Sequence, residues 1–288
     1  NSGAEANECA IKAARKYAAD KYGPERCKIV TLVNSFHGRT IATLTATGQE
    51  EMHKDFQPLV PGFIYTPAND CEALRKLVAE HDDIAAFMFE LVQGEGGVMP
   101  LEQSFVDCMV EIAKAKDILL VCDEVQTGNG RTGSLYAWMQ YGFKPDIMST
   151  AKGLGGGLPI GACLFGEKTE NVLTAGTHGS TFGGNPVVCA GALTILDRID
   201  DKLLADVKAK SAYLFEAFTG APGIKAVTGM GLMIGLQTEK PAAEVVAACM
   251  ANGVLVLTAH GRVRLLPALN IPMELVKKAA EVIRAACA

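Results

Sequence analysis

Short apolar segments alternate with helical patterns along the first part of the chain, and this alternation constrains the fold most strongly. Five such segments, each bounded by turn-forming residues, lie at 28–34, 84–90, 118–124, 146–150 and 160–166. Helical patterns separate several of them, as at 71–81 and 104–116. Strands that are apolar on both faces and joined by helices indicate a mostly parallel sheet covered on both sides. Ligands bind such sheets beyond the carboxyl ends of the strands, so polar residues there are the first candidates for a site.

The pattern changes from about residue 186. Helical patterns and then short strands follow, and a last helical pattern ends the chain; they lie at 186–199, 202–218, 231–237, 254–259, 263–267 and 272–287. We therefore predict two domains. The large α/β domain would span residues 1–190, and a linking helix with a smaller α+β domain would span residues 191–288.

Composition excludes several classes of partner and site. The 27 Lys and Arg against 32 Asp and Glu give a net charge of −5, which argues against nucleic acid or an anionic membrane. The nine cysteines contain no C-x-x-C pair, so we expect reduced thiols in a cytoplasmic protein rather than disulfides or a zinc site. No H-x-x-x-H spacing supports a metal site, and no run of 18 apolar residues predicts a membrane span.

One lysine stands at the end of a predicted strand, in STAKGLGGGLPIGA (149–162). Lys152 precedes its glycines, which is the reverse of the order in a nucleotide P-loop. At the mouth of an apolar strand, a lysine is expected to be partly desolvated and therefore nucleophilic. We expect the glycines at 155–157 to leave this side chain room to move. A surface lysine without a chemical role is the alternative.

Two other strand ends carry candidate ligand-binding groups. Asp123 ends the apolar run LLVCD, and a buried carboxylate is costly unless a cation or a protonated nitrogen compensates it. Phe36 and His37 follow another run, in NSFHGRT, where an aromatic ring can stack on a flat ligand. A core phenylalanine beside a hydrogen-bonded surface histidine explains the second motif equally well.

Two segments have features of phosphate sites. Ser2 and Glu5 have the spacing of a capping box, and Gly3 and Ala4 leave the first N–H groups of the helix open to an anion. The glycine-rich Ser-Thr stretch at 176–186 can bind phosphate through its hydroxyl and N–H groups. A lysine nucleophile, a carboxylate, an aromatic ring and a phosphate cradle are together what pyridoxal phosphate requires.

Six motifs in this order resemble the class III pyridoxal-phosphate aminotransferases: NSGAEANE, SFHGRT, VQGEGGV, CDEVQTGNGRTG, STAKGLGGGLPIGA and HGSTFGGNP. The resemblance covers essentially the whole chain. It implies a mostly parallel, seven-stranded-type sheet sandwiched by helices, plus the smaller C-terminal domain. It also implies a further segment before Asn1 that contributes to the small domain and to substrate recognition.

The resemblance implies roles for the cofactor-site residues. Lys152 matches the lysine that binds pyridoxal 5'-phosphate covalently and then transfers a proton. Asp123 matches the carboxylate that keeps the ring nitrogen protonated, and Gln126 matches a contact to the phenolic oxygen of the ring. Phe36 matches the residue stacked on the ring, with His37 beside it.

The remaining matched residues concern the phosphate and the substrate. Ser2, Gly3 and Ala4 match the phosphate cradle. Thr181 matches a residue that reaches the phosphate of the neighbouring subunit, which implies a homodimer with shared active sites. Finally, the arginine in RVRLLPALN, Arg264, matches the clamp for the substrate α-carboxylate, and Glu95 in VQGEGGV matches its pairing partner; a pair of this kind can open and close.

The resemblance implies transfer of the δ-amino group of N-acetylornithine to 2-oxoglutarate, in arginine biosynthesis. Two alternatives remain open. Another ω-amino donor, such as ornithine, succinylornithine or 4-aminobutyrate, would use the same residues. A shortened chain that binds the cofactor weakly, or acts only as a dimerisation partner, would need no activity.

Overall fold

The computed structural model describes all 288 residues, which form two compact units. The large unit comprises Asn1–Leu91, Leu101–Gln126 and Trp138–Asp197. The small unit comprises Val92–Pro100, Thr127–Ala137 and Arg198–Ala288. The units therefore differ from the continuous ranges 1–190 and 191–288 predicted above, because two short segments of the first half fold with the C-terminal residues.

Side-chain contacts explain why these two segments belong to the small unit. Val92 and Val98 are fully buried and form an apolar cluster with Met233. In the second segment, the Arg131 guanidinium donates hydrogen bonds to the backbone carbonyls of Leu232 and Pro267, at 3.1 and 2.6 Å. These partners lie far along the sequence, so no local pattern signals the assignment.

The chain contains twelve strands and eight α-helices. The strands are β1 (Lys28–Leu32), β2 (Phe63–Thr66), β3 (Ile84–Phe89), β4 (Val92–Gln93), β5 (Met99–Pro100), β6 (Leu119–Asp123), β7 (Ile147–Thr150), β8 (Ala162–Phe165), β9 (Ile224–Met230), β10 (Met233–Thr238), β11 (Leu257–Ala259) and β12 (Arg262–Leu265). The helices are α1 (Gly3–Tyr22), α2 (Ile41–Ala46), α3 (Cys71–Glu80), α4 (Gln103–Lys116), α5 (Pro186–Leu196), α6 (Asp201–Phe218), α7 (Ala242–Ala251) and α8 (Met273–Cys287). None of the helices is long and apolar enough to cross a membrane.

The large unit contains the predicted mostly parallel sheet, in the order β2-β1-β3-β6-β7-β8. All neighbours are parallel except β8, which is antiparallel to β7. All five predicted runs are strands of this sheet, and every residue of the central strands β3 and β6 is buried. The sheet has six strands rather than the seven that the resemblance implied. The unpredicted β2 buries only Thr66 fully, which explains its weak apolar pattern.

Helix α1 packs on this sheet through small residues. Ala10, Ala13 and Ala14 are fully buried in one cluster with residues of β1, β3, β6 and β7. Alanine allows a close approach of helix and sheet while keeping a high helix propensity. At the start of the helix, Ser2 Oγ accepts from the Glu5 backbone N–H at 3.2 Å, which is half of the predicted capping box.

The small unit contains a four-stranded antiparallel sheet in the order β11-β12-β10-β9. Its core includes Phe218 of α6, Ile234 and Leu236 of β10, and Ile283 of α8. Strands β4 and β5 form a separate two-stranded hairpin in the same unit. The predicted α+β character of this part of the chain is confirmed.

Candidate active site

A cavity of about 200 Å³ lies in the large unit, at the carboxyl ends of the parallel strands. Asp123 is the last residue of β6, Glu90 directly follows β3, and Lys152 comes two residues after β7. Seven predicted residues line this cavity: Gly3, Ala4, Phe36, His37, Asp123, Gln126 and Lys152. The other lining residues are Asn7, Gly38, Arg39, Glu90 and Val125, none of which was predicted from the sequence to belong to the site.

Asp123 is buried, with 3% of its surface exposed, and three donors hold its carboxylate. Oδ2 accepts from Asn7 Nδ2 at 2.7 Å and contacts His37 Nδ1 at 2.8 Å, while Oδ1 accepts from the Val125 backbone N–H at 3.0 Å. Because a carboxylate oxygen only accepts, His37 Nδ1 carries the hydrogen in this contact. These bonds offset part of the cost of burying the carboxylate, for which the sequence predicted a cation or a protonated nitrogen.

His37 is itself buried, so the alternative of a surface histidine is wrong. Its backbone N–H donates to Thr47 Oγ1 at 2.9 Å, and its ring faces Asp123. The His37 Nε2 atom is buried without a hydrogen-bond partner. The one hydrogen bond of the His37 ring is therefore the one to the carboxylate of Asp123.

Phe36 is held at the cavity through its backbone. The Phe36 N–H donates to Glu90 Oε2 at 2.8 Å, and the Glu90 side chain is almost fully buried. The Arg39 guanidinium carbon lies 5.4 Å from the centroid of the Phe36 ring, within the range of a cation–π contact. The sequence alone places the Glu90 carboxylate directly after a buried strand. It does not indicate that this carboxylate accepts from the Phe36 backbone N–H.

Lys152 begins the 3₁₀ turn that follows β7 after one residue, and it has a φ of 46°. A left-handed conformation is uncommon for lysine, and conformations of this kind concentrate at functional sites. The side chain is exposed, so the predicted partial desolvation is not found. Exposure leaves the amine free to move at the mouth of the cavity.

Two of the glycines after Lys152 make room for apolar side chains rather than for the lysine, contrary to the expectation. A Cβ at Gly156 would lie 2.5 Å from Ile195 Cδ1, and the φ of this glycine is 59°. A Cβ at Gly155 would lie 2.8 Å from Ile160 Cγ2, whereas at Gly157 it would meet nothing within 4 Å. Packing against α5 therefore explains Gly156, packing against Ile160 explains Gly155, and a φ of 109° explains Gly157.

At the N-terminus of α1, Gly3 and Ala4 line the cavity, but Ser2 does not. A Cβ at Gly3 would lie 2.6 Å from Val125 Cγ1, so glycine allows the first turn to approach the loop after β6. The N–H groups of a first helical turn, together with the helix dipole, form an anion site. Gln126 also lines the cavity, and its Oε1 is buried without a hydrogen-bond partner.

The small unit contains the predicted pair of substrate-binding residues. Arg264 on β12 is 7% exposed, and its Nη1 donates to Glu95 Oε1 at 2.6 Å. Glu95 lies in the turn of the β4–β5 hairpin. The Arg264 Nε is buried without a partner, so the guanidinium retains unused donors.

Thr181 lies in an exposed loop of the large unit and does not line the cavity. The same loop and α5 expose large apolar side chains. Phe182 is 70% exposed, Val187 72% and Leu193 62%. Burial of exposed apolar side chains is the main driving force of protein–protein association.

Comparisons with known proteins identify the family. The model of the family Aminotransferase class-III matches residues 1–287. The acetylornithine aminotransferase of Haemophilus ducreyi is 48% identical over 285 residues, which are 98% of this chain and 72% of that protein. The acetylornithine aminotransferase of Aquifex aeolicus is 45% identical, over 99% of this chain and 74% of its own length.

Solved structures agree with this assignment. The N-acetylornithine aminotransferase from Stenotrophomonas maltophilia has a TM-score of 0.85 at 36% identity, over 99% of this chain and 72% of its own. The ornithine aminotransferase from Toxoplasma gondii has a TM-score of 0.94 at 34% identity, over 100% of this chain and 71% of its own. The chain therefore belongs to the class-III aminotransferase family.

Proposed function

We propose that this aminotransferase uses pyridoxal 5'-phosphate to move the δ-amino group of N-acetylornithine to 2-oxoglutarate, a step of arginine biosynthesis. The observation that carries the proposal is that Lys152, Asp123 and Phe36 line one cavity at the strand ends. The relatives named acetylornithine aminotransferase, at 48% and 45% identity, support the choice of donor.

The residues of the cavity fit the chemical groups of pyridoxal phosphate. Asp123 offers a carboxylate oxygen to a protonated ring nitrogen, Phe36 offers a flat apolar surface, and Lys152 offers an amine. The first turn of α1 offers N–H groups to a phosphate. When bound, this cofactor supplies an electron-accepting ring that carries the amino group between two half-reactions.

Each residue then has a distinct task. Lys152 would bind the cofactor covalently through its amine, and that amine would also be the base for the proton on the amino-bearing carbon of the donor. Asp123 would favour a protonated ring nitrogen, and Gln126 would contact the phenolic oxygen of the ring. Phe36 would offer its ring for stacking, with His37 beside it.

The N-terminus of α1 would bind the phosphate of the cofactor. Gly3 and Ala4 would hold it through backbone N–H groups, and Ser2 through its exposed hydroxyl. Thr181 would contact the phosphate bound by a second copy. Its exposed position away from the cavity supports a role toward another subunit rather than toward its own.

For the substrates, we propose that Arg264 binds the α-carboxylate in a bidentate manner and that Glu95 pairs with it otherwise. The buried, unpartnered Nε of Arg264 supports the first part, because it leaves a donor for a second oxygen. The 2.6 Å contact to Glu95 supports the second part. One arginine can thus serve an amino donor and a keto acid in turn.

We further propose a homodimer in which the surface of Phe182, Val187 and Leu193 binds a second copy of the chain. These three side chains lie in one stretch of the chain, 182–193, and each is more than 60% exposed, so a second copy that covered them would remove much apolar surface from water. Sedimentation should give the mass of a dimer for the wild type and of a monomer for a Val187→Asp, Leu193→Asp variant. A wild-type monomer would contradict this part of the proposal.

A cytoplasmic location fits the cysteines of the chain. All nine are free thiols, four of them at least partly accessible at positions 27, 71, 163 and 189. Free thiols in this number suit a reducing compartment. Cell fractionation would test the location directly.

A specific observation supports a different amino-donor substrate as the alternative. The similarity to the ornithine aminotransferase from Toxoplasma gondii, at a TM-score of 0.94, favours ornithine as the alternative. Comparing kcat/KM for N-acetylornithine, ornithine, succinylornithine and 4-aminobutyrate would decide, because the preferred donor should lead by orders of magnitude.

The decisive experiment compares the wild type with Lys152→Ala and, as a matched control, Lys54→Ala at an exposed lysine of the same unit. The wild type loaded with pyridoxal phosphate should show a visible absorbance band that changes when N-acetylornithine is added. Lys152→Ala should lose that band, and turnover should fall by about 10⁴-fold or more, whereas Lys54→Ala should keep both. A band and a turnover that survive Lys152→Ala would contradict the proposal.

A further inference from the structure

Asn7 is a polar residue buried inside α1, with 1% of its surface exposed. Its Nδ2 donates two hydrogen bonds of 2.7 Å, to Asp123 Oδ2 and to the backbone carbonyl of His37. These two acceptors fix the orientation of the amide, because a rotated amide would place its oxygen against two other oxygens. Asn7 Oδ1 is buried without a partner.

Helix packing alone does not call for an asparagine here. The other buried positions on the same helix are all apolar, and most of them, including Ala6, Ala10 and Ala13, are alanines. An unpartnered buried carbonyl lowers the stability of the folded state, and asparagine has a lower helix propensity than alanine. What Asn7 offers in place of an apolar residue is therefore its amide nitrogen, which donates to Asp123 and to the backbone carbonyl of His37.

The hydrogen bonds of Asp123 make its two oxygens inequivalent. Each carboxylate oxygen can accept about two hydrogen bonds. Oδ2 has both, from Asn7 and His37, whereas Oδ1 has one, from the Val125 N–H. The remaining acceptor position of the carboxylate is consequently on Oδ1.

We propose that Asn7 is a positioning residue that acts through Asp123. It occupies Oδ2 together with His37 and so reserves Oδ1 for the protonated ring nitrogen of the cofactor. The inference rests on the proposed function and assigns a task to a residue that does not itself hold the cofactor. Without Asn7, the carboxylate would be free to rotate about χ2, a broad torsion, with one donor fewer to hold it.

The test measures cofactor affinity and spectrum rather than turnover. Apoprotein is titrated with pyridoxal phosphate, and the dissociation constant and the pH dependence of the visible band are recorded for the wild type and Asn7→Leu. Leucine has a similar volume and no donor. We expect the dissociation constant to rise about tenfold, which is the value of one hydrogen bond to a charged group, and the pH response of the band to shift.

A double-mutant cycle separates positioning from general loosening of the helix. In an Asp123→Asn background, Asn7→Leu should change the dissociation constant by less than about twofold, because its target is already altered. Ala14→Val, at another buried position of α1, is the control: it should lower the melting temperature of the apoprotein and leave the pH response unchanged. If Asn7→Leu does not fold, Asn7→Ala serves in the same cycle.

The outcomes distinguish this inference from the proposed function. An equal loss of affinity in both backgrounds, or an unchanged dissociation constant and pH response in Asn7→Leu, would overturn the positioning role alone. A wild-type protein without a band that depends on Lys152 would overturn the proposed function, and the inference with it.

Discussion

The two units hold their main charged side chains in different ways. In the large unit, Asp123 is 3% exposed and accepts from three donors, which use both of its oxygens. In the small unit, Arg264 is 7% exposed but makes one hydrogen bond, to Glu95, and its Nε has no partner. Burial is thus similar, whereas the number of internal partners is not.

This difference matches what each group is proposed to do. A buried group whose partners all belong to the protein resists rearrangement, because leaving any of them unpaired is costly. Asp123 must present the same carboxylate in both half-reactions, so a fixed arrangement suits it. Arg264 must exchange a protein carboxylate for a substrate carboxylate, and a single contact to the half-buried Glu95 can be exchanged.

Among the variants that test this comparison, the largest effect should come from replacing the planar guanidinium of Arg264. Arg264→Lys keeps the charge but cannot bind a carboxylate in a bidentate manner. We expect kcat/KM for 2-oxoglutarate to fall by about 10- to 100-fold, mainly through KM, while the cofactor spectrum stays unchanged. Steady-state kinetics with varied keto acid would measure this.

Glu95→Gln is the matched control for Arg264→Lys, because it removes the exchange partner and leaves the arginine. The KM for 2-oxoglutarate should not rise, since no protein carboxylate then competes for the guanidinium. If both variants raise the KM equally, the pair is a fixed structural contact and the contrast with Asp123 fails.

An intermediate effect, on stability, is expected at Gly156, in the turn after Lys152. Gly156→Ala introduces a Cβ 2.5 Å from Ile195 at a φ of 59°, so strain and overpacking both act. We expect a loss of about 1–3 kcal/mol in the free energy of unfolding, measured by urea denaturation. Gly157→Ala has no neighbour within 4 Å, so its loss at a φ of 109° measures backbone strain without overpacking. A Gly156→Ala variant as stable as the wild type would show that neither the contact with Ile195 nor the backbone conformation constrains this position.

The smallest effect concerns a half-buried carboxylate of the large unit, Asp117. Its Oδ2 accepts from Lys21 Nζ at 2.7 Å and from the Tyr22 hydroxyl at 2.5 Å. Burial alone raises the pKa of Asp117, but the hydrogen bonds from Lys21 and Tyr22 outweigh it and hold the pKa well below its usual range. Because the folded pKa is below the unfolded value of about 3.9, the stabilisation is complete above that pH and is lost as pH falls further.

Asp117→Asn tests this contribution without changing the left-handed backbone, which asparagine tolerates. At pH 7 the variant should lose less than about 1 kcal/mol in the free energy of unfolding, since solvent screens the group. The difference from the wild type should be constant between about pH 5 and 7 and shrink below about pH 4. A difference that grows on acidification would contradict the depressed pKa.

Much of the large unit was predictable because its signals are local. The apolar runs that became β1, β3, β6, β7 and β8 predicted a mostly parallel sheet, and strand ends located Asp123, Lys152 and Phe36. The short β2, the hairpin β4–β5, β9, α2 and α7 were not predicted. Each of them is short or only partly buried, so neighbours in the fold rather than local periodicity stabilise it.

The functional motifs show the same limit. NSGAEANE predicted a helix start and a phosphate cradle, but an asparagine one turn into a helix gives no sign that it is buried against a carboxylate. Glu90 could be placed at a strand end, yet its contact is to the backbone of Phe36, 54 positions earlier. The glycines at 155–157 predicted room for the Lys152 side chain to move, whereas packing against Ile195 explains Gly156.

The sequence by itself therefore determined which chemical groups stand at the ends of the parallel strands, because the period of the apolar residues and the order of strands and helices are local properties. Only the tertiary structure decided which atoms of those groups meet. Asn7 and Asp123 are 116 positions apart, and the packing of α1 on the sheet brings them to 2.7 Å. Hydrogen bonds of that kind depend on tenths of an ångström, which no spacing of residues along a chain specifies.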